Sequence, residues 1–399
     1  MKKRDTYLNQ LIALKDKSPI KVITGVRRCG KSSLLDLYEE YLLSEGVKPA
    51  AIVRMNFEPL AFDEIRDYKQ LNDYVVQHIA DEPKTYVLLD EVQMVAEWER
   101  AVNSLRLDQR LDIYITGSNG HLLASELSSL LSGRYIELHM LPLSFKEFLA
   151  FNDYSISGDI QGYFNQYMER GGLPGITEFR NQESAIRSYI SGIYSTIIIK
   201  DVITRNKVRD LALLENVIRF MAGNIGNPIS SKRISGYLTS AGRKTSSETI
   251  DNYLHMLTNA YVLYRVGRYD LKGKQQLKTQ GKYYIVDTGI RGELVGKRGQ
   301  DYGFVLENVV YFELLRRGFD VKIGSLSGLK IDFIATKPEQ TVYYQVTATM
   351  LPEDVREREL RPLRAIADNY EKVVLSLDRT PMTDFDGIRN VNLLEFLLG

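Results

Sequence analysis

Two glycines lie five positions apart in residues 25–32, which read Gly-Val-Arg-Arg-Cys-Gly-Lys-Ser. An apolar run at 20–24 precedes them, and a helix-prone run begins at Ser32. Strand, glycine loop and helix in this order direct backbone N–H groups and the positive end of a helix toward one anion. We expect Lys31 to reach the outer phosphates of a nucleotide and the Ser32 hydroxyl to ligate Mg²⁺. The predicted phosphate-binding loop consists of Gly25, Val26, Arg27, Arg28, Cys29, Gly30, Lys31, Ser32 and Ser33.

The composition is that of an ordinary soluble chain and predicts two to four domains for its 399 residues. The net charge of +1 leaves any attraction to nucleic acid to local basic patches. No apolar run approaches the roughly 20 residues that span a bilayer, so we expect no membrane partner. The single cysteine, Cys29, excludes an intrachain disulfide and fits a reducing, cytoplasmic location.

Residues 1–150 alternate apolar strands with helical stretches, which predicts a doubly wound α/β domain with a parallel sheet. We expect residues 151–210 to be mostly helical, although propensity separates helix from strand poorly at 186–200. The predicted strands of the first region are 20–24, 51–56, 86–90, 112–116 and 135–139.

Two adjacent acids end the apolar strand at 86–90. At the carboxyl edge of a strand, Asp90 can hold the Mg²⁺ shell opposite Ser32. Glu91 is then placed to orient and deprotonate an attacking water. A strand that simply ends in a polar turn is the alternative.

The strand at 112–116 also ends in small polar residues, Gly117, Ser118 and Asn119. If it lies between the other two strands, Ser118 or Asn119 can sense the γ-phosphate; the alternative is a helix N-cap. Arg134 precedes the strand at 135–139 and can act as an arginine finger on a neighbouring subunit. Its alternative role is an exposed arginine at a helix end.

This set of motifs resembles the prokaryotic AAA-type ATPases that carry a C-terminal DUF4143 region. The resemblance implies an AAA+ core over 1–150 with the additional-strand arrangement, a helical lid over 151–210, ATP as the nucleotide, and Arg134 as a finger between subunits of a homo-oligomer. The motifs are those at 25–32, Leu-Asp-Glu-Val-Gln at 89–93 with Trp98-Glu99, Thr-Gly-Ser-Asn at 116–119, Ser-Gly-Arg at 132–134, Leu-Pro-Leu-Ser-Phe-Lys-Glu-Phe at 141–148, Gly-Gly-Leu-Pro-Gly at 171–175 and Ile-Ile-Lys-Asp-Val at 198–202.

Residues 211–282 have the pattern of a winged helix-turn-helix. We predict helices at 213–221 and 231–239, a third helix opened by a capping box at 245–248, and wing strands at 261–269 and 282–286. Such a module can contact DNA or a protein partner, and basic side chains also occur on solvated hairpins. The basic residues are Arg243, Lys244, Arg265, Arg268, Lys272, Lys274, Lys278 and Lys282.

Residues 283–399 return to an α/β pattern in which Glu307, Asp332 and Gln345 resemble a restriction-endonuclease-like arrangement. There, acidic residues hold a divalent metal that activates water. The usual lysine is replaced by Thr347, so we expect a domain that does not cleave.

The leading hypothesis is therefore an ATP- and Mg²⁺-dependent ATPase that switches a winged-helix and nuclease-like module. The alternatives are a nucleotide-gated DNA-binding or DNA-processing protein with residual nuclease activity, and a P-loop kinase acting on a small molecule.

Overall fold

All five predicted N-terminal strands are present in the computed structural model, which describes residues 2–118, 131, 133–180, 182–273, 275–296, 302–379 and 384–399. The chain divides into two compact units, Met1–Leu141 with Asn259–Tyr261, and Pro142–Thr258 with Val262–Gly399. The helices of the first unit include α1 (Asp5–Ala13), α2 (Lys31–Ser44), α3 (Tyr68–Gln77) and α4 (Trp98–Leu105). Its strands are β1 (Ile20–Thr24), β2 (Ile52–Asn56), β3 (Thr85–Asp90), β4 (Leu111–Gly117) and β5 (Tyr135–His139).

The described strands of the first unit form a five-stranded parallel sheet in the order β2-β3-β4-β1-β5. Strands β1, β3 and β4 are buried at every position, as expected for parallel strands covered by helices on both faces. β4 lies between β1 and β3. The carboxyl ends of these three strands therefore meet at one edge of the sheet, and this is where the predicted site residues are.

The second unit begins with helices and ends with a mixed sheet. Helix α7 (Glu183–Thr196) continues into a π-helical segment, Ile197–Thr204, which resolves the ambiguity at 186–200 in favour of helix. Its helices include α5 (Phe145–Phe151), α6 (Ile160–Arg170), α7 (Glu183–Thr196), α8 (Leu211–Ala222), α9 (Ser231–Ser240), α10 (Ser247–Asn259), α11 (Thr288–Val295), α12 (Tyr302–Arg316), α13 (Glu353–Arg364) and α14 (Leu393–Leu398).

The described strands of the second unit are β6 (Leu263–Asp270), β7 (Gln275–Ile285), β8 (Asp320–Leu326), β9 (Leu329–Lys337), β10 (Gln340–Val346), β11 (Glu371–Ser376), β12 (Asp384–Phe385) and β13 (Ile388–Asn392). They form one eight-stranded sheet in the order β12-β13-β11-β10-β9-β8-β6-β7. Helices α8, α9 and α10 and the β6–β7 hairpin follow the order predicted for a winged helix. However, β6 also pairs in parallel with β8, so the two predicted wing strands belong to the same sheet as the C-terminal strands.

The predicted capping box of α10 is wrong by one residue. The side chain of Ser246, not Thr245, accepts the hydrogen bond from the backbone N–H of Thr249, at 3.1 Å. The Thr245 N–H instead donates to the hydroxyl of Thr239 in the preceding helix. Both Thr245 and Ser246 carry a hydroxyl that can cap the N-terminus of α10. The contact of Thr245 with Thr239 leaves this role to Ser246.

None of the helices in the described ranges combines the length and the apolar character needed to cross a membrane.

Candidate functional site

The loop between β1 and α2 has a backbone that only glycine permits at two positions. Gly25 has φ +141°, and a Cβ atom there would lie 2.1 Å from the carbonyl oxygen of Met140. Gly30 has φ +106° and forms the N-cap of α2 without a side-chain cap. The first N–H groups of the helix therefore stay open to an external acceptor, as a phosphate-binding loop requires.

The loop is fixed from outside by an arginine near the N-terminus. The buried Arg4 guanidinium donates to the carbonyl oxygens of Cys29, at 3.1 Å, and Leu141, at 2.7 Å. Cys29 is itself fully buried, and burial raises the pKa of its thiol. Arg27 is held by an ion pair with Glu58 at 3.0 Å. These contacts keep the loop in shape, and Arg4 was not predicted as part of the site.

Lys31, at the start of α2, lies inside this loop. Its Nζ atom donates to the carbonyl oxygens of Gly25, at 3.1 Å, and Val26, at 3.3 Å, and lies 3.7 Å from Oε1 of Glu91. Ser32 is half-buried, whereas Ser33 and Arg28 are exposed. Lys31 and Glu91 are thus brought together, with Ser32 next to Lys31 on the first turn of the helix.

Asp90 ends β3 and is completely buried. Its Oδ1 atom accepts a hydrogen bond from the hydroxyl of Thr116, and its Oδ2 atom lies 3.5 Å from Nη2 of Arg54. A carboxylate and a serine hydroxyl are oxygen ligands of the kind that Mg²⁺ prefers. The donor set of Asp90 and Ser32 therefore fits this ion.

Glu91 follows in a left-handed backbone conformation, with φ +54°. Its carboxylate accepts hydrogen bonds from Ser118 Oγ, at 3.2 Å, and from the Gln93 amide, and it is 7% exposed. Burial alone would raise the pKa of Glu91, but Lys31, Arg27 and these hydrogen bonds outweigh burial and lower it. Glu91 is therefore ionised at neutral pH and able to accept a proton.

Two of the three other predicted catalytic residues, Ser118 and Arg134, lie within the described residues. Ser118 is buried at the end of β4, and β4 lies between β1 and β3, so the condition set for a sensor holds. Asn119 lies outside the described residues. Arg134 is exposed at the start of β5, and its guanidinium donates to Asn103 Oδ1 at 3.4 Å. Its action on a second subunit stays a prediction.

A polar group on β1 and β5 was not predicted. The hydroxyl of Thr24, the residue before Gly25, donates to Glu137 Oε1 at 2.6 Å and lies 2.9 Å from His139 Nδ1. Burial, and then the charge of Lys31, lower the pKa of His139 to about 4. Glu137 and His139 alternate along β5, and this spacing was visible in the sequence. Only the pairing of β5 with β1 places the two residues beside the loop.

Comparison with known proteins agrees with this geometry. Residues 17–149 match the family model of the AAA domain. An uncharacterized protein of Haemophilus influenzae is 41% identical over 397 residues, which cover 99% of this chain and 98% of that protein. The chain belongs to the family of that protein. Its N-terminal unit carries an AAA domain of the P-loop ATPase type.

Other similar proteins have lower sequence identity. An uncharacterized protein of Methanocaldococcus jannaschii is 29% identical over 317 residues, covering 75% of this chain and 67% of that protein. A solved Walker-type ATPase of Pyrococcus abyssi covers 74% of this chain and 96% of its own, with a TM-score of 0.49 and 17% identity. At this TM-score and identity, the similarity does not bear on function.

The prediction of a DUF4143 C-terminal region is wrong. Residues 161–301 of this AAA-domain protein instead match DUF8612, a domain of unknown function. The motifs quoted for the resemblance lie mostly before residue 176, so they identified the N-terminal domain and did not discriminate between C-terminal regions.

The second unit contains the predicted acidic pair, together with a lysine that the prediction did not place there. Glu307 on α12 and Asp332 on β9 both contact Lys282 of β7: its Nζ atom lies 2.6 Å from Glu307 Oε2 and 3.5 Å from Asp332 Oδ1. Tyr284 also donates to Glu307, at 3.0 Å. A lysine from another strand therefore supplies a cation to this cluster, although Thr347 replaces the usual lysine.

Gln345 does not direct its carbonyl oxygen to an open ligand position. Its Oε1 atom accepts the backbone N–H of Asp332 at 2.7 Å, and its Nε2 atom donates to Glu359 at 3.0 Å. Thr347, where the usual lysine was expected, donates to the carbonyl oxygen of Thr349. Both polar side chains are thus used in internal hydrogen bonds.

Proposed function

We propose that the protein binds ATP with Mg²⁺ and hydrolyses it. The observation that carries this proposal is the cluster of Lys31, Asp90, Glu91 and Ser118 at the carboxyl ends of three neighbouring strands, next to the glycine loop. The match of residues 17–149 to the AAA domain supports it.

In this proposal, the residues of the site have distinct roles. The open N–H groups at the start of α2 and the Lys31 ammonium bind the phosphates. Glu91 accepts a proton from the attacking water, and Ser118 holds the Glu91 carboxylate in position and senses the γ-phosphate, a role we also assign to Asn119. Mg²⁺ bound by Ser32 and Asp90 would neutralise charge that develops on the phosphates.

Two substitutions separate binding from turnover. We expect Lys31→Ala to abolish ATP binding. Glu91→Gln should retain binding and lower phosphate release by a factor on the order of 10²–10⁴. Glu97→Gln is the matched control, since Glu97 is also a left-handed glutamate in this segment but is exposed and paired with Arg100. Normal turnover by Glu91→Gln would exclude Glu91 as the base. ATP hydrolysis without any acceptor would exclude the small-molecule kinase.

The proposal extends to a homo-oligomer in which Arg134 acts on the γ-phosphate of a neighbouring subunit. Its exposure leaves it accessible to a second copy. Mixing Arg134→Ala with Glu91→Gln tests this idea, because each inactive variant supplies the residue that the other lacks. Recovered ATPase activity, with an increase of mass in ATP, is the expected result; no recovery would place Arg134 outside the catalytic machinery.

A second candidate function is a nucleotide-gated DNA-binding protein, with a winged helix over 211–282 and a nuclease-like domain that does not cleave. It is favoured by the basic side chains of the β6–β7 region, among them Arg265 and Arg268. ATPase activity that changes with DNA, and salt-dependent DNA binding weakened by Arg265→Glu, would support it. Metal-dependent nicking lost in Asp332→Ala would show residual nuclease activity. Under either candidate the protein works in the cytoplasm, which cell fractionation tests.

A further inference from the structure

A basic cavity in the second unit lies between the helices and the sheet. It has a volume of about 350 Å³, and its lining includes Arg233, Arg268, Lys282 and Lys330. Among the described residues, no aspartate or glutamate lines it. The elements that meet here are α9, β6, β7, β8 and β9, so residues distant in sequence converge on one concave surface.

Lys282 is a buried cation in the wall of this cavity. It is 4% exposed and held by Glu307 and Asp332. The lysine lines the cavity, whereas its two acidic partners do not. The ammonium is thus the cation that accompanies this acidic pair beside the cavity.

Helix α9 adds a second positive element. Ser230 is its N-cap and lines the cavity. The ten-residue helix begins at Ser231, and its first N–H groups and the positive end of its dipole are at this wall. Arg233, on the first turn, is exposed. A phosphate is the ligand that matches cations and a helix N-terminus together.

A neighbouring cavity indicates a polymer and not a lone phosphate. It has a volume of about 640 Å³, shares Arg233 with the first, and includes Arg219, Arg243, Tyr237 and Phe220. Tyr237 is 57% exposed, and its ring centroid lies 4.8 Å from that of Phe220. Arg233 and Tyr237 are four residues apart on α9 and so lie on one face. Cations next to an exposed aromatic ring are the features that bind phosphate and base of a single strand.

We propose that these two cavities form a metal-independent site for a single nucleic-acid strand, with a backbone phosphate at Arg233, Arg268, Lys282 and Lys330 and a base on Tyr237. The site does not depend on ATP hydrolysis. The inference rests on the second candidate function, in which the protein binds nucleic acid. The contact, however, lies on the α9 surface and not on the wing.

The test is fluorescence anisotropy with a labelled single-stranded oligonucleotide and the full chain carrying Lys31→Ala, so that the glycine loop does not compete. We expect salt-dependent binding that is unchanged by EDTA. Arg233→Gln and Lys330→Gln should each weaken it about 5- to 10-fold and reduce the dependence of log K on log salt by about 0.7. Lys337→Gln is the matched control, because it removes the same charge at the other end of β9.

Tyr237→Ala distinguishes a strand from free phosphate. This substitution should lower the affinity for the oligonucleotide at least 5-fold. It should leave the competition by inorganic phosphate unchanged. Equal affinity of Tyr237→Ala and its parent would overturn the strand assignment.

The remaining outcomes separate this site from the other proposals. Binding that requires Mg²⁺ or Mn²⁺ would overturn the role of Lys282 as the resident cation. If Arg265→Gln weakened oligonucleotide binding and Arg233→Gln and Lys330→Gln did not, the binding site would be the wing and not the two cavities. No binding by the parent would overturn the site and the second candidate function, while ATPase activity of the unaltered chain is measured separately.

Discussion

The hydroxyl of Thr116 connects the two acids of the nucleotide site. It donates to Asp90 and accepts the backbone N–H of Glu91 at 3.0 Å, all in a buried position on β4. Thr116 therefore fixes the carboxylate of Asp90 and the backbone of Glu91. Thr116 belongs to the Thr-Gly-Ser-Asn motif, yet its role could be assigned only once β4 was known to pair with β3.

We therefore expect Thr116→Val to lower ATP turnover roughly 10- to 100-fold, the equivalent of losing a hydrogen bond to a charged group. ATP affinity should change little, because Lys31 and the loop are untouched. Steady-state phosphate release and nucleotide titration measure the two quantities. Thr85→Val, the same change at the buried start of β3, is the control. Normal turnover in Thr116→Val would show that Asp90 and Glu91 are positioned by other contacts.

The second glycine of the Gly-Gly-Leu-Pro-Gly motif has a packing role. A Cβ atom on Gly172 would lie 2.4 Å from the carbonyl oxygen of Leu143, whose N–H in turn binds the Gly172 carbonyl oxygen. The neighbouring Gly171 has φ +80° and approaches Asp287 as closely. The two glycines thus allow their segment to pass close to both Leu143 and Asp287. The sequence alone does not show this close approach.

Gly172→Ala should destabilise the second unit by about 1–3 kcal/mol, as overpacking does in a tight interior. Gly192→Ala on the exposed face of α7 is the matched control, with no atom within 4 Å of its new Cβ, and should stabilise by about 0.4–1 kcal/mol. Midpoints of denaturant unfolding compare them. Equal midpoints for the two variants would contradict the close approach.

At the scale of elements, β1 and β4 are joined by a buried ionic network. Lys21 and Asp112 form an ion pair with almost no exposure, and Tyr114 donates to Asp112 at 2.9 Å. Burial lowers the pKa of Lys21, and the nearby Asp112 carboxylate offsets only part of this decrease. A sequence reader would take Lys21 for a solvent-facing residue within an apolar strand, but both faces of β1 are covered.

Lys21→Met should therefore cost about 3–5 kcal/mol of stability in the first unit, because it leaves a buried carboxylate without its cation. Lys21→Met with Asp112→Asn should recover much of this loss. Lys48→Met, which removes a lysine from the exposed pair with Glu82, should leave the unfolding midpoint nearly unchanged. Guanidinium unfolding followed by circular dichroism measures all three. A Lys21→Met midpoint equal to that of Lys48→Met would show that the pair is not needed.

Elements differ in how far the sequence predicts them. The bounds of β1 and β5 were predicted without error, and those of β2, β3 and β4 to within one residue, because parallel strands covered on both faces read as short apolar runs. Local pattern is sufficient where burial and chain order determine the element.

Long-range pairing is where prediction fails. The β6–β7 hairpin has the local pattern of a wing, but its pairing with β8 joins residues more than fifty positions apart. Lys282 reaches Glu307 and Asp332 only through this sheet. For the same reason Arg4 and His139 were not predicted, and Thr116 was found only as part of a motif without a role. Each belongs to the nucleotide site through a contact made by another element.

At the scale of the whole molecule, the two units contain buried groups with opposite pH responses. Burial raises the pKa of Asp287 to about 6, although backbone N–H groups of Gly172 and Ile290 lower it in part. The folded second unit holds this proton more tightly than the unfolded chain. Its contribution to stability is therefore full below about pH 3.8 and is lost as the pH rises through 6.

His139 in the first unit has the opposite sign. Its pKa is lowered from 6.5 to about 4, so the folded state holds the proton less tightly than the unfolded chain. Stability from this group is full above pH 6.5 and is lost as the pH falls toward 4. Each response has a maximum slope of about 1.4 kcal/mol per pH unit.

We expect calorimetry between pH 7 and pH 5 to show these two contributions through single variants. Asp287→Asn should reduce the gain of the second unit on acidification; Glu307, whose pKa is raised to about 7 by burial and by Asp332, leaves a residual gain of the same sign. His139→Gln should make the first unit less sensitive to acid, although Glu137, with a pKa raised by burial, opposes His139. If each variant followed the pH profile of the unaltered chain, neither group would titrate differently in the folded and unfolded states. A change confined to one unit in each variant would show that the two units respond to pH independently.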